Sequence, residues 1–107
     1  MNFNSYQNEA KKTAVYPNVG KNFIYPTLGL AGESGECVEK IKHILRDKGG
    51  RIGEAEKADL KDALGDVLWY IAQLSTELGF KMEEAAQTNL KKIFSRQKSG
   101  TLKGDHK

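Results

Sequence analysis

Between Glu54 and Leu78 the residues Leu60, Leu64, Val67, Leu68, Ile71, Leu74 and Leu78 return every three or four positions. That period places them on one arc of a long helix, and Gly79 supplies its stop. A second arc, Leu30, Ala31, Cys37, Val38, Ile41, Ile44 and Leu45, predicts a helix from about Thr27 to Asp47, closed by Gly49 and Gly50. Upstream, a helix from about Asn4 to Val15 must end before Pro17, because a residue preceding proline is pushed out of the helical region. Pro17 and Pro26 bracket an irregular segment. A last helix, from about Met82 to Gln97, carries Met82, Ala86, Leu90, Ile93 and Phe94, with Gly100 just beyond. No stretch alternates as a strand does. The expected fold is all-α: an antiparallel bundle of four to five helices with short connections.

A chain of 107 residues has room for one modest core. Residues 1–99 are read as that single domain and 100–107 as a flexible basic tail. With 38% apolar and 29% charged residues the balance is globular, but so short a chain exposes much surface. Completion of the core by dimerisation is therefore expected. The net charge of +3 suits a phosphate-bearing partner and is too small to imply nucleic-acid binding. Cys37 stands alone, which excludes an internal disulfide or a cysteine zinc cluster, and its apolar neighbours predict a buried, inert thiol. The polar stretch Met1 to Ala10 does not read as a signal peptide, and no apolar run is long enough to span a membrane. A cytoplasmic protein is expected.

The acids carry the functional information. Glu33 and Glu36, spaced i and i+3, project from neighbouring points of the second helix. On a wheel of about 100° per residue, Glu33 borders the apolar arc and Glu36 lies farther out. Asp59, Asp62 and Asp66 form a comparable stripe on the third helix. Carboxylates brought together across a helix pair repel unless a cation neutralises them. Oxygen-only donors suit Mg²⁺ or Mn²⁺. Solvated surface acids have the same spacing, so spacing alone leaves both readings open. Gly32, Gly35 and Gly65 add weight, since each costs a helix about 1 kcal/mol relative to alanine. Ligand access would explain that cost, and so would a tight helix crossing. On the last helix Asn89, Lys92 and Arg96 form a stripe of phosphate donors, or else a plain solvated basic face.

The blocks Gly29-Leu-Ala-Gly-Glu-Ser-Gly-Glu36, Leu64-Gly-Asp-Val-Leu-Trp-Tyr-Ile-Ala72 and Asn89-Leu-Lys-Lys92, with the ending Ser95 to Gly104, resemble the small phage-type MazG-like nucleotide pyrophosphohydrolases. These belong to the all-α NTP pyrophosphatase superfamily. The family signature pairs E-x-x-E on one helix with E-x-x-D on the next, together binding Mg²⁺. Glu33 and Glu36 match the first pair and Asp66 the final aspartate, but Ala63 stands where the remaining acid belongs. Asp62, one turn before Asp66, is the candidate replacement.

The resemblance implies hydrolysis of nucleoside triphosphates, with deoxynucleotides the expected class, to monophosphate and pyrophosphate. It implies Mg²⁺, or Mn²⁺ in its place, on Glu33, Glu36, Asp62 and Asp66. Glu36 is the expected general base. Lys92 and Asn89, with Arg96 as an extension, would hold phosphate, Lys92 stabilising the departing charge. A homodimer or homotetramer is implied. Trp69 can stack on a base or pack at a helix or subunit contact, while His43 and His106 read as surface residues. Because of Ala63, the alternative is a non-catalytic nucleotide-binding or regulatory module of the same fold. A small DNA-binding protein is the remaining class, and no recognition helix supports it.

Overall fold

The structure, a computed structural model, describes residues 1–100. Four α-helices and, among those residues, no strand make up the chain: α1 (Phe3–Lys12), α2 (Ile24–Lys48), α3 (Glu54–Leu78) and α4 (Met82–Ser99). The bounds of α3 are those expected. Gly49 and Gly50, at φ 61° and 81°, end α2 in the left-handed region. Gly79 does the same for α3 at φ 83°. α1 is shorter than its pattern because the Thr13 N–H and hydroxyl both donate to the Ala10 carbonyl, at 3.0 and 2.8 Å, closing the last turn early. α2 starts earlier than expected and takes Pro26 into its first turn, where a missing N–H costs no helical hydrogen bond.

α2 and α3 pack along a long seam, and α1 lies on α3. α4 packs on α1 and α3 but not on α2. Ala10, Ala72 and Met82 are buried where α1, α3 and α4 meet, with Tyr6, Leu68 and Trp69 around them. Gln7 fixes this junction. Its Nε2 donates to Thr76 Oγ1 at 3.0 Å and to the Phe80 carbonyl at 3.1 Å. Its Oε1 accepts from the Met82 N–H at 2.8 Å, one of the first-turn donors that α4 cannot satisfy itself.

Most of the apolar arcs remain uncovered. Val38, Leu45, Leu64 and Phe94 each expose 60% or more of their surface. The radius of gyration is 16.6 Å, against about 13 Å for a compact chain of this length. The periodicity marks the faces that want burial; one copy of the chain does not bury them. No helix among the described residues is long and apolar enough to cross a membrane.

Residues 14–22 form a tightly wound connection. Asn18 and Gly20 take left-handed conformations, and Lys21 N–H donates to the Asn18 carbonyl at 2.9 Å. The Glu77 side chain of α3 gathers this segment: Tyr16 OH donates to Oε2, Gly20 N–H to Oε2 at 2.8 Å, and Asn22 N–H to Oε1 at 2.9 Å. Burial alone would raise the Glu77 carboxyl, but the donors outweigh it and hold it below the ordinary range.

Three outcomes follow. Gln7→Leu should cost about 2 kcal/mol, because it strands the Met82 N–H; chemical denaturation checks this, and an unchanged midpoint contradicts it. A Cβ at Gly29 would overlap the Tyr70 ring, so Gly29→Ala should destabilise by about 1–3 kcal/mol despite its gain in helix propensity. Glu77, with its lowered folded value, stabilises fully above the ordinary carboxylate pKa of about 4.3 and loses this as pH falls through the lower folded value. Melting temperature should then fall more between about pH 5 and 3 in the wild type than in Glu77→Gln.

Candidate functional site

Glu33 of α2 and Asp66 of α3 face each other across the seam, lining one cleft of ≈ 400 Å³ with Thr13, Trp69 and Tyr70. Loss of hydration, the charge of Asp66, a hydrogen bond to Asp66 and the charge of Glu36 together raise the Glu33 carboxyl above its ordinary range. The Asp66 charge also reaches two phenols. Tyr6 and Tyr70 are both raised, by burial first; Asp66 adds to both, and Tyr25 and Glu33 add to Tyr70. These acids thus crowd one another beside an aromatic wall. A hard cation would relieve their repulsion, and the donor set is all oxygen, so Glu33, Asp66 and the neighbouring Glu36 fit a divalent ion. Among the described residues no group of three acids is already gathered at metal-binding distance. A bound cation would therefore have to draw Glu36 inward.

Ala63, on α3, is buried, with 3% of its surface exposed. Asp62, one residue earlier on α3, is exposed. It lies beside Lys40, whose ammonium is bonded to Asp59 at 2.9 Å and is also in the field of Glu36 and Asp62. Asp59, read with the acidic stripe, is thus occupied by an ion pair on the outer rim.

The expected phosphate donors stand elsewhere on the protomer. Asn89 and Lys92 are exposed on α4 and Arg96 is half-buried there, and no α4 residue lines the Glu33–Asp66 cleft. The glycines divide. Around Gly32, Gly35 and Gly65 there is open space, so tight packing within one copy does not explain them. Gly29 is the position of close approach, with the Tyr70 ring lying on its Cα.

Trp69 packs at a helix contact and also borders the cleft. Its Nε1 donates to Thr13 Oγ1 at 2.8 Å, its ring meets Tyr70 edge-on at 5.0 Å, and it lines the cleft. His43 is a surface residue, 3.7 Å from Glu39. Cys37 is half-buried rather than buried, since α4 leaves that part of α2 uncovered. His106 and residues 101–107 of the expected tail lie outside the described residues. Sequence reasoning missed Tyr70 and Thr13 as cleft residues. A glycine at position 29 of a helix was the available sign of Tyr70; for Thr13, contributed by the end of α1, there was none.

The family model for the MazG nucleotide pyrophosphohydrolase domain matches residues 26–101, a span holding all but the first two residues of α2 and the whole of α3 and α4. The chain is also 42% identical over 109 residues to the Gene 37 protein of Mycobacterium phage L5, covering 97% of this chain and 96% of that one. No solved structure matches. A domain match over most of the chain, across the helices that build the acidic and aromatic cleft, places the protein in the MazG nucleotide pyrophosphohydrolase family.

Proposed function

We propose that the chain hydrolyses nucleoside triphosphates, deoxynucleotides foremost, to monophosphate and pyrophosphate with Mg²⁺ or Mn²⁺. The observation that carries this reading is the cleft in which Glu33 and Asp66 crowd each other beside Trp69 and Tyr70, within the matched family domain. Glu33, Glu36 and Asp66, with Asp62 from the rim, would hold the cation. When bound, the ion screens phosphate charge and lowers the pKa of a coordinated water. The protein's own part is to orient the triphosphate and move a proton. Glu36 is the proposed base, exposed at the edge of the acid pair. Trp69 and Tyr70 offer faces for a base. Lys92 and Asn89, with Arg96, would bind phosphate and stabilise the departing pyrophosphate.

Because α4 does not pack on α2, those donors are proposed to reach the cleft of a second copy. Homodimer or homotetramer formation is part of the reading, supported by the exposed apolar faces of α2, α3 and α4 and by the open shape of the protomer. Cytoplasmic location, where nucleotides are held, belongs to it as well; nucleic acid and membrane do not. The buried Ala63 favours one second reading, a module that binds nucleotide without turning it over.

A panel of ribo- and deoxynucleoside triphosphates assayed with Mg²⁺ and with EDTA should release pyrophosphate and monophosphate only when metal is present. Orthophosphate and diphosphate as products would overturn the mechanism. Glu36→Gln should lower kcat by about 10²-fold or more with the fold intact; a wild type with no activity to lose would establish the binding module. Lys92→Ala should lower kcat/KM by about 10–100-fold, a loss that the free energy of one charged phosphate contact explains. Light scattering should give a mass at least twice the 11.9 kDa of one chain, and a monomer would contradict the shared site.

A further inference from the structure

The segment from Thr13 to Tyr25 touches the aromatic wall of the cleft at both ends. At one end Thr13 Oγ1 accepts the Trp69 indole N–H at 2.8 Å. At the other, Tyr25 stands one turn before Gly29 on α2, against which the Tyr70 ring lies, and it adds to the upward shift of the Tyr70 phenol. Tyr25 is itself stacked on Tyr16, ring centroids 4.8 Å apart and planes within 14°. Between these ends the segment is held by one side chain of α3, Glu77, which accepts from Tyr16 OH, Gly20 N–H and Asn22 N–H. Glu77 lies three turns along α3 from Asp66, about 16 Å, and outside the cleft.

The orientation of Tyr16 is further restricted by Gln73, a side chain with 1% of its surface exposed whose Nε2 donates to the phenol oxygen at 2.9 Å. The phenol proton goes to Glu77, so Gln73 must present its amide N–H, and its Oε1 is left without a hydrogen-bond partner. The phenol oxygen of Tyr16 is thus held from two sides, by Glu77 and Gln73, and the Tyr25 ring lies stacked on the ring so held.

We infer that Glu77 is a positioning residue for the nucleotide cleft: by latching residues 16–22 it fixes Trp69 and Tyr70, through Thr13 and Tyr25, in the geometry that receives the nucleotide base. The inference rests on the pyrophosphohydrolase reading for the identity of the ligand, not for the latch itself. Glu77 acts on binding geometry and not on the cation, because it touches none of the acids around Glu33 and Asp66. Glutamine cannot replace it. All three donors point at the carboxylate oxygens, and an amide would turn its own N–H₂ toward at least one of them.

Trp69 is the sole tryptophan, so its fluorescence reports on the wall without any ligand. In Glu77→Gln and in Tyr16→Phe the emission maximum should shift to the red and acrylamide quenching should rise, with circular dichroism unchanged. KM for the best nucleotide of the panel should rise about tenfold while kcat stays within about threefold, and Mn²⁺ affinity of the nucleotide-free protein should not move. Unchanged Trp69 emission and quenching in a folded variant would overturn the inference, as would a fall in kcat with KM unmoved. Should Glu77→Gln fail to fold, Tyr16→Phe decides alone, since it leaves both backbone donors on Glu77. A wild type that turns over no nucleotide would sink the pyrophosphohydrolase reading, while the Trp69 measurement would still decide the latch.

Discussion

Glu33 of α2, partly dehydrated, faces the exposed Asp66 of α3 across one cleft, and the charge of Asp66 raises the Glu33 carboxyl further. Their register follows from how the two long helices lie together. Tyr70 can settle on α2 because position 29 has no side chain. Close packing and crowded charge are therefore made by one helix pair. A divalent cation held there would relieve the repulsion of such a pair.

The rest of the protomer serves that cleft or waits for company. The end of α1 brings Thr13 to the cleft, and the wound segment behind it stacks Tyr16 on Tyr25 of α2. α4 leans away after Met82 and leaves α2 bare on that side. Leu64, on the apolar arc of α3, and Val38, on that of α2, are among the most exposed large side chains. A chain with so few buried residues gains little from its own core. A second copy that covered these faces would stabilise it.

Much of this was legible in the sequence. The period of three and four residues fixed α3 to its ends, because Gly79 has a single good explanation after such a run. Gly49, Gly50 and Gly100 marked the other stops in the same way. The start of α2 was less legible, since Pro26 reads as a breaker unless it falls in a first turn, where it is harmless. The acidic pair was legible because Glu33 borders an apolar arc and Asp66 lies in a matching block. The aromatic wall was not. Trp69 alone was a candidate; Tyr70 beside it on α3, and Thr13 just beyond the end of α1, join it only in the fold, where no periodicity connects them. Glu77 was equally silent, because a glutamate near a helix end looks solvated until the segment it holds is seen.

The central claim is that the pair formed by Glu33 and Asp66 is built to be neutralised by a cation. Electron paramagnetic resonance of Mn²⁺ added to nucleotide-free protein tests it directly, comparing the wild type with Glu33→Gln and Asp66→Asn. The account predicts that the wild type binds the ion and that each substitution weakens binding about tenfold or more, with helicity retained. Equal affinity in all three proteins, or no binding by the folded wild type, would contradict it.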